Sequence, residues 1–406
     1  MRSRVAMIVV ASIATGCWDW DALEPVGGSC EDVTCPCPGD ACMDGECVPA
    51  TPVVSMALGY HFACFVREDG SVACVGDDES AQLGRGSAGG SSAIPVEAAT
   101  SGYAAAYGGA DRFVTLRPSG GGDAVFWGLR PGDPDDGPLT LTPTSLDAAF
   151  DRMANGGDFV CGLSGESLAC VGGNFMGQLG VGDTDVRTSP VALGGSWLDV
   201  SAGLVHTCGI QSADGDRTLH CWGADDRGQS GGVDATVPTQ VGAEVGWDEV
   251  AAGKDFTCAR QGGAVYCFGN NDSGQLALPP SGADHPSPSR VSIEGAPVDD
   301  ATQIASGRFH ACMLRADAEA WCWGNDECGA LGSGTSGSVG GDPVRVVQPI
   351  GAPRFARIAA GNHFTCALAE RGALYCWGRG GERLASMSTN CTTGPPPIES
   401  PQRICL

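Results

Sequence analysis

Residues 361–378 read Gly361-Asn-His-Phe-Thr-Cys-Ala-Leu-Ala-Glu-Arg-Gly-Ala-Leu-Tyr-Cys-Trp-Gly378. Two runs of apolar, aromatic and small residues flank Glu370-Arg371-Gly372, which has the composition of a tight turn. The pattern predicts a β-hairpin, in which Cys366 and Cys376 lie opposite each other. Because residues paired across antiparallel strands have Cβ atoms about 4.5–5.5 Å apart, we expect these cysteines to form a disulfide.

The same phrase, a glycine followed five residues later by a cysteine, recurs along the chain. The predicted cysteine pairs are Cys64–Cys74, Cys161–Cys170, Cys208–Cys221, Cys258–Cys267, Cys312–Cys322 and Cys366–Cys376. Successive copies are about 50 residues apart, except that the first interval is about twice as long. A copy without cysteines fills it: Gly109 begins this copy, and Val114 and Phe126 take the two cysteine positions. Seven repeats of about 50 residues are typical of propellers and arrays.

Composition favours an exported, turn-rich protein. Among 406 residues, 63 glycines and 25 prolines indicate many turns and little helix. The net charge is −25, and Lys254 is the sole lysine, so the surface repels nucleic acid and anionic lipid headgroups. The 21 cysteines indicate an oxidising compartment. The chain has none of the CxxC pairs that zinc sites use, and we expect no metal and no cofactor.

The N-terminus has the features of an export signal. Arg2 and Arg4 precede an apolar run, residues 5–14, that is too short to span a bilayer. Ala14-Thr-Gly-Cys17 resembles the bacterial lipoprotein processing box, which implies a signal peptide over residues 1–16 and acylation of Cys17. Secretory cleavage nearby, with Cys17 unmodified, is the alternative. Setting Cys17 aside leaves an even number of cysteines, which favours the lipoprotein.

Residues 17–52 are predicted to be a small tether between the lipid and the repeats. Large aliphatic side chains are scarce here, so any fixed shape depends on disulfides. The cysteines that follow Cys17 in this segment are Cys30, Cys35, Cys37, Cys42 and Cys47.

Few residues suggest chemistry, and none is predicted to be catalytic. Histidines recur at or beside one position of the repeat, at His61, His206, His310 and His363. Tryptophans share another position, at Trp127, Trp222, Trp323 and Trp377. We expect the histidines to pack and form hydrogen bonds, and the tryptophans to pack between repeats. The acidic loop at residues 133–136 would suit calcium or a basic partner, but we interpret it as a solvated loop.

The repeated phrases resemble those of a known family. Gly-x-x-His-x-Cys-x-Leu, then Val/Leu-x-Cys-Trp-Gly, then Gly-Gln-Leu-Gly resembles the regulator of chromosome condensation repeat over residues 53–406. The third phrase, with variations, occurs at residues 81–84, 177–180, 274–277 and 329–332. This resemblance implies an all-β, seven-bladed β-propeller with four-stranded blades. The cysteine pair in most repeats looks like the exported bacterial branch of the family.

The resemblance does not carry a function with it. The founding member of the family is a nuclear exchange factor for a small GTPase that also holds chromatin. An export signal and the absence of a basic tail lead us to expect neither a small GTPase nor nucleic acid as partner.

The two ends of the chain are predicted to meet in one blade. A proline-containing strand precedes most repeats, but none fits before Val54, and residues 400–404 form an orphan copy at the other end. We therefore expect a C-terminal strand to close the first blade, begun by residues 53–76. This arrangement places Cys405 near the tether and leaves Cys328 and Cys391 to each other. A Cys391–Cys405 bond is the alternative.

The sequence thus predicts a lipid-anchored propeller in a bacterial cell envelope, on the outer membrane, in the periplasm or on the cell surface. Its partner would be an unknown protein or cell-surface ligand, bound through loops on one propeller face or at the central channel, without catalysis. Contact with the membrane is expected only through the N-terminal lipid. An inhibitor or sensor of a secreted enzyme is the first alternative, and a lyase or hydrolase is the second.

Overall fold

The computed structural model describes residues 35, 37, 40–43, 46–110, 112–134, 137–337, 339–348, 354–379 and 397–406. The predicted signal peptide, Cys17 and most of the tether lie outside these ranges. The described residues form seven four-stranded antiparallel sheets and two short hairpins, with no helix among them. The sheets are the blades of a propeller around a central channel, which confirms the predicted all-β, seven-bladed fold.

Each blade uses four strands that are consecutive in the sequence. The first, innermost strands are Val53–Leu58, Tyr103–Tyr107, Arg152–Asn155, Ser196–Ala202, Trp247–Ala252, Ala301–Ser306 and Phe355–Ala360. The second strands are Phe62–Arg67, Phe113–Pro118, Phe159–Ser164, His206–Ala213, Phe256–Gln261, His310–Arg315 and Phe364–Ala369.

The third strands are Val72–Gly76, Val125–Leu129, Ser167–Gly172, Asp216–Gly223, Ala264–Gly269, Ala320–Asn325 and Leu374–Gly378. The fourth, outermost strands are Ser92–Glu97, Leu139–Ser145, Arg187–Leu193, Ala235–Val245, His285–Arg290, Val339–Arg345 and Ile398–Arg403. The short hairpins pair Ala41–Met43 with Glu46–Val48, and Ser292–Ile293 with Ala296–Pro297.

Position within the blade decides the composition of each strand. The second and third strands are buried on both faces by neighbouring blades, so Phe62–Arg67 and Leu374–Gly378 are almost continuously apolar. The fourth strands form the rim, where prolines are tolerated because an edge strand leaves one row of N–H groups unpaired. Leu139–Ser145 and His285–Arg290 accordingly contain proline, and none of their residues is buried.

The repeated glycine makes room for the side chain three residues later. A Cβ atom on Gly253 would lie 2.1 Å from the ring of Phe256, and one on Gly59 would lie 2.1 Å from the ring of Phe62. The aromatic ring therefore folds back over the glycine at the turn into the second strand, so that no larger residue fits there.

All six predicted disulfides of the repeats are present, and each joins directly paired residues of the second and third strands. Cys366 pairs with Cys376 in the hairpin formed by residues 361–378. The bridges are completely buried, so they reinforce the inside of the blade rather than its surface.

The second blade has no disulfide, and its predicted register was wrong by one residue. Thr115, not Val114, is paired with Phe126 at the position of the two cysteines. The loop from Gly109 to Phe113 is one residue longer than its equivalent from Gly59 to Phe62. Counting five residues from the glycine therefore ended one position too early.

The prediction that the C-terminal strand closes the first blade was also wrong. Ile398–Arg403 pairs with Leu374–Gly378 and completes the seventh blade, whereas Ser92–Glu97 completes the first. The proline-containing strands end the blade that precedes them instead of beginning the next one. With that assignment no strand is missing at the N-terminus, and the final strand is not an orphan.

The chain ends are joined by side chains instead of by a shared sheet. Cys405 forms a disulfide with Cys37, so the proposed proximity of Cys405 to the tether is confirmed and the alternative Cys391–Cys405 pairing is wrong. Cys35 and Cys47 form a second bridge in the tether. Cys328 is disulfide-bonded, but Cys391 lies outside the described residues, and their pairing stays a prediction.

Candidate functional site

The propeller has two faces that differ in their loops. On one face, which we call the loop face, lie the connections between first and second strands and those between third and fourth strands. Gly76, at the end of a third strand, pairs with Phe62 at the start of a second strand, and Asp77 N donates to the carbonyl of His61 at 2.8 Å. The opposite face, called here the hairpin face, carries the turns between second and third strands.

A channel with a volume of about 300 Å³ runs between the innermost strands of the seven blades. Small residues line it, and polar side chains connect neighbouring blades there. Ser306 Oγ donates to the carbonyl of Ala251 at 3.0 Å, and Ala252 N donates to Ser201 Oγ at 2.9 Å. The channel wall is therefore held together by hydrogen bonds between blades.

His206 and His310 have the structural role that the sequence predicted. They take the position of Phe62 and Phe256, are completely buried, and bond Thr257 and Thr365 of the next blade at 2.9 and 2.8 Å. Both threonine hydroxyls donate to a loop carbonyl, so each accepts from histidine Nε2–H.

Burial determines the charge state of these two rings. Desolvation lowers the pKa of His206 to about 4 and that of His310 to about 3. Both are neutral at pH 7 and closed off from the channel, which makes them packing residues instead of ligands or bases.

The four tryptophans pack between blades, as predicted. Each indole Nε1 donates to a carbonyl in the third-to-fourth loop of the preceding blade, at 2.8–2.9 Å. The accepting residues are Gln82, Gln178, Gln275 and Ala330. The Gly-Gln-Leu-Gly phrase is thus the acceptor that fixes one blade against the next.

His61 and His363 lie elsewhere, one residue earlier in the repeat, in loops at the channel mouth. His363 stacks at a tilt on Phe309, with ring centroids 5.6 Å apart. Desolvation, followed by the positive charge of Arg308, lowers the pKa of His363 to about 4. The histidines therefore occupy two adjacent positions of the repeat, one between blades and one at the mouth.

Cationic and aromatic side chains converge at this mouth. The Arg308 guanidinium lies over the rings of Tyr60 and Phe309, 4.9 Å from each centroid. The ammonium of Lys254, the sole lysine, lies 5.9 Å from the centroid of Phe309 and pairs with Asp255 at 2.6 Å. Sequence reasoning did not single out Arg308, because it became notable only when the ring of blades brought Tyr60 beside it.

A second feature of the loop face is an exposed aromatic side chain. Phe175 has 69% of its surface exposed, and its neighbour Met176 has 39%. They occupy the tip of the third-to-fourth loop in the third blade, which is anchored by a bond from Leu179 N to Asn174 Oδ1. Aligning the loops by their Gly-Gln-Leu-Gly phrase would have found it, since other copies have a carboxylate at this position.

Four other blades have the same loop anchor and an exposed acidic residue in place of Phe175. These residues are Glu79, Asp226, Asp272 and Glu327. Among these five described loops, four therefore place a carboxylate at the tip and one places an apolar side chain there.

The acidic loop at residues 133–136 falls partly outside the described residues, which include Asp133 but not Asp135 or Asp136. Within the described ranges, no group of three or more His, Cys, Asp or Glu side chains is placed to hold a metal ion. In the same ranges, no helix has the length and apolarity needed to cross a bilayer.

Comparison with known families identifies the repeat in the C-terminal half. The regulator of chromosome condensation (RCC1) repeat matches residues 262–314 and 317–368, and a second description of the same repeat matches residues 247–275, 301–330 and 355–382.

Two curated relatives share parts of the chain. It is 30% identical over 179 residues to the E3 ubiquitin-protein ligase HERC2 of Homo sapiens, covering 42% of this chain and 4% of the ligase. It is 33% identical over 192 residues to the ultraviolet-B receptor UVR8 of Arabidopsis thaliana, covering 45% of this chain and 41% of the receptor. The matches thus span less than half of either relative.

Solved structures share the fold at lower identity. Prp20p from Saccharomyces cerevisiae superposes with a TM-score of 0.50 at 16% identity, covering 87% of this chain and 76% of that one. Human WBSCR16 superposes with a TM-score of 0.53 at 18% identity, covering 89% and 84%. The chain is therefore a seven-bladed β-propeller that carries regulator of chromosome condensation repeats.

Proposed function

We propose that this propeller is a non-catalytic binding module that docks a protein partner on its loop face, in an extracytoplasmic compartment. The observation that carries the proposal is Phe175, an aromatic side chain 69% exposed at a position where four other blades have a carboxylate. Large aromatic side chains dominate the energy of protein interfaces when a partner buries them.

The charge of the loop face indicates the chemistry of the partner. Acidic residues occupy the equivalent loop tips of four blades, and the whole protein carries a net charge of −25. A partner surface with an apolar pocket and a basic periphery complements this arrangement, and such complementarity accelerates association. Nucleic acid does not fit, because its phosphates would meet these acidic loop tips.

The disulfides support the proposed compartment. Buried bridges inside six blades persist in oxidising environments and are rare in reducing ones. We keep the bacterial cell envelope as the location, with the lipid on Cys17 as the membrane contact. Inhibition or sensing of a secreted enzyme is one form of such docking, with Phe175 entering the cleft of the enzyme.

A co-precipitation from detergent-solubilised envelope tests the docking face. The full chain with Phe175→Asp should lose a stoichiometric partner that the wild type retains. Ile94, 68% exposed on the outer strand of the first blade, is the matched control, and Ile94→Asp should retain the partner. Equal capture by both variants would contradict docking through Phe175, and turnover of a polysaccharide or peptide by the purified chain would contradict the non-catalytic role.

A further inference from the structure

The arginines of this protein are mostly neutralised within the fold. Eleven of those in the described residues form an ion pair with a carboxylate: Arg67, Arg85, Arg152, Arg187, Arg217, Arg227, Arg260, Arg315, Arg345, Arg354 and Arg403. In a chain with 48 acidic and 23 basic side chains this is the expected arrangement. Arg308 has no described carboxylate within ion-pair distance of its guanidinium. The same holds for Arg117, Arg130, Arg290 and Arg357, but each of those donates a side-chain hydrogen bond to a described residue, and Arg308 does not.

The Arg308 side chain is instead held in place by aromatic rings. Phe309 belongs to the sixth blade, like Arg308, whereas Tyr60 belongs to the first blade, on the other side of the seventh. The guanidinium is therefore held by rings from two blades that are not neighbours. Its backbone N–H donates to the carbonyl of Gly361 at 2.9 Å, which fixes the loop. Its Nε is buried without a hydrogen-bond acceptor among the described residues. A planar, pre-oriented fork of N–H donors is the geometry that binds an oxyanion with two hydrogen bonds.

The surrounding charge selects a singly charged anion. Lys254 lies beside Phe309 but is already paired with Asp255. Arg379, whose charge also lowers the pKa of His363, is buried and engaged in the fold. Arg308 therefore supplies the charge that remains to be neutralised. A carboxylate balances one guanidinium, whereas a phosphate dianion would bring a second negative charge next to Asp255. His363, held neutral with a pKa of about 4, adds no positive charge at pH 7.

We infer that the channel mouth is a carboxylate-binding site, in which Arg308 receives an acidic side chain or a free carboxyl terminus of the docked partner. The inference rests on the proposed docking at the loop face, which is the face where this mouth opens. The partner would thus present an acidic protrusion towards the axis and a basic, apolar surface towards the rim.

Small probes test the site without the partner. Saturation-transfer NMR with the full chain would use two peptides: acetylated triglutamate amide, with acidic side chains, and acetylated trialanine with a free carboxyl terminus. We expect at least one to bind, with affinity falling as salt increases. Arg308→Gln should weaken binding about tenfold or more, because a hydrogen bond to a charged group is lost. The peptide that binds identifies the source of the carboxylate.

Control variants distinguish binding at the channel mouth from non-specific electrostatic attraction of the peptides. Arg354, with 59% of its side chain exposed near Glu370 on the hairpin face, is the matched control, and Arg354→Gln should bind like the wild type. Arg308→Lys, which keeps the charge but not the fork, should bind more weakly than the wild type. The circular dichroism spectrum of each variant establishes that it is folded.

Three results would overturn the carboxylate site. These are no binding of either peptide to the folded wild type, equal binding by Arg308→Gln, and tighter binding of inorganic phosphate than of both peptides. Each is distinguishable from failure of the proposed docking, because Phe175→Asp leaves the mouth intact and should bind the same peptides as the wild type.

Discussion

Arg403 donates a hydrogen bond to Asp40 at 2.8 Å, and only 3% and 5% of these side chains is exposed. The pair joins the last strand of the seventh blade to the tether that precedes the first. Two residues further along, Cys405 is bonded to Cys37 across a sequence separation of 368 residues. The ring is therefore closed by a clasp of side chains, and the stability of the whole propeller should depend on it.

Removing the clasp disulfide should destabilise the propeller strongly. Chain entropy makes a bridge across so long a loop worth up to about 5 kcal/mol, the upper end of measured values. We expect the double variant Cys37→Ser/Cys405→Ser to unfold at clearly lower guanidinium concentration than the wild type. Deleting residues 399–406 should lower the melting temperature further and promote aggregation, because it also removes most of the outer strand of the seventh blade.

The tether contains its own control. Cys35 and Cys47 are only 12 residues apart, and their bridge lies outside the propeller. Cys35→Ser/Cys47→Ser should leave the main unfolding transition where it is in the wild type. Equal transitions for both double variants would show that the clasp does not stabilise the ring.

A seventh disulfide should form in the second blade at the corrected register. Thr115 and Phe126 are paired across the strands in the same way as the cysteines of the other blades, and both side chains are buried. We expect Thr115→Cys/Phe126→Cys to be bridged, as measured by mass spectrometry after alkylation without reduction. Val114→Cys/Phe126→Cys should keep two free thiols after denaturation, because side chains alternate between the faces of a strand. A bridge in the second variant alone would restore the register counted from Gly109.

Local patterns in the sequence predicted most of this fold, because most repeats contain the complete sequence pattern of a β-hairpin. Cys366 and Cys376 are ten residues apart, and a tight turn between apolar runs is enough to pair them. Six copies of such a pattern determine the blade, and their period determines the architecture.

Assignment of the strands to blades was not predictable in the same way. A strand such as Arg187–Leu193 lies between two hairpins in the sequence, and its polar, proline-containing composition fits the outer edge of either blade. The loop from residue 173 to 186 decides the matter, because it returns the chain along the third strand of its own blade. The β-propensity of the residues in Arg187–Leu193 does not indicate which of the two neighbouring blades the strand joins.

The two main residues of the candidate site differ in how far the sequence could have identified them. Phe175 could have been identified from the sequence, because the equivalent loops of four other repeats have an acidic residue at its position. Arg308 was not, because Tyr60, which lies under its guanidinium, is almost 250 residues away in the sequence. Contacts between the first and sixth blades exist only after the ring has closed.

Cys17 is predicted to be the acylated N-terminus of the mature protein. Ala14-Thr-Gly-Cys17 follows an apolar run and resembles the lipoprotein processing box. Mass spectrometry of protein purified from membranes should find an N-terminal cysteine carrying lipid, and Cys17→Ser should release the protein from the membrane fraction. An unmodified peptide that begins upstream of Cys17 and continues through Trp18 would contradict this prediction.

Each of the two buried histidines should contribute a loss of stability in mild acid, which Glu249 and Asp326 oppose because burial raises the pKa of the first to about 7 and that of the second to about 6. An unfolded histidine has a pKa of about 6.5, whereas burial lowers the pKa of His206 to about 4 and that of His310 to about 3. As the pH falls below 6.5, each of these histidines takes up a proton in the unfolded chain but not in the folded chain, so its contribution to the free energy of unfolding decreases. The loss continues until the pH reaches the folded pKa values, and at pH 5 it amounts to about 2 kcal/mol for each histidine.

Phenylalanine should remove this dependence, because it occupies the same position in other blades, as at Phe62 and Phe256. On a change from pH 7.5 to pH 5, we expect the free energy of unfolding of His206→Phe to become about 2 kcal/mol more favourable relative to that of the wild type, as measured by guanidinium titrations. Leu219→Ala, which empties a buried apolar site without removing a titratable group, should lose stability equally at both pH values. If His206→Phe keeps the full acid sensitivity of the wild type, the ring of His206 is not held neutral by burial between the blades.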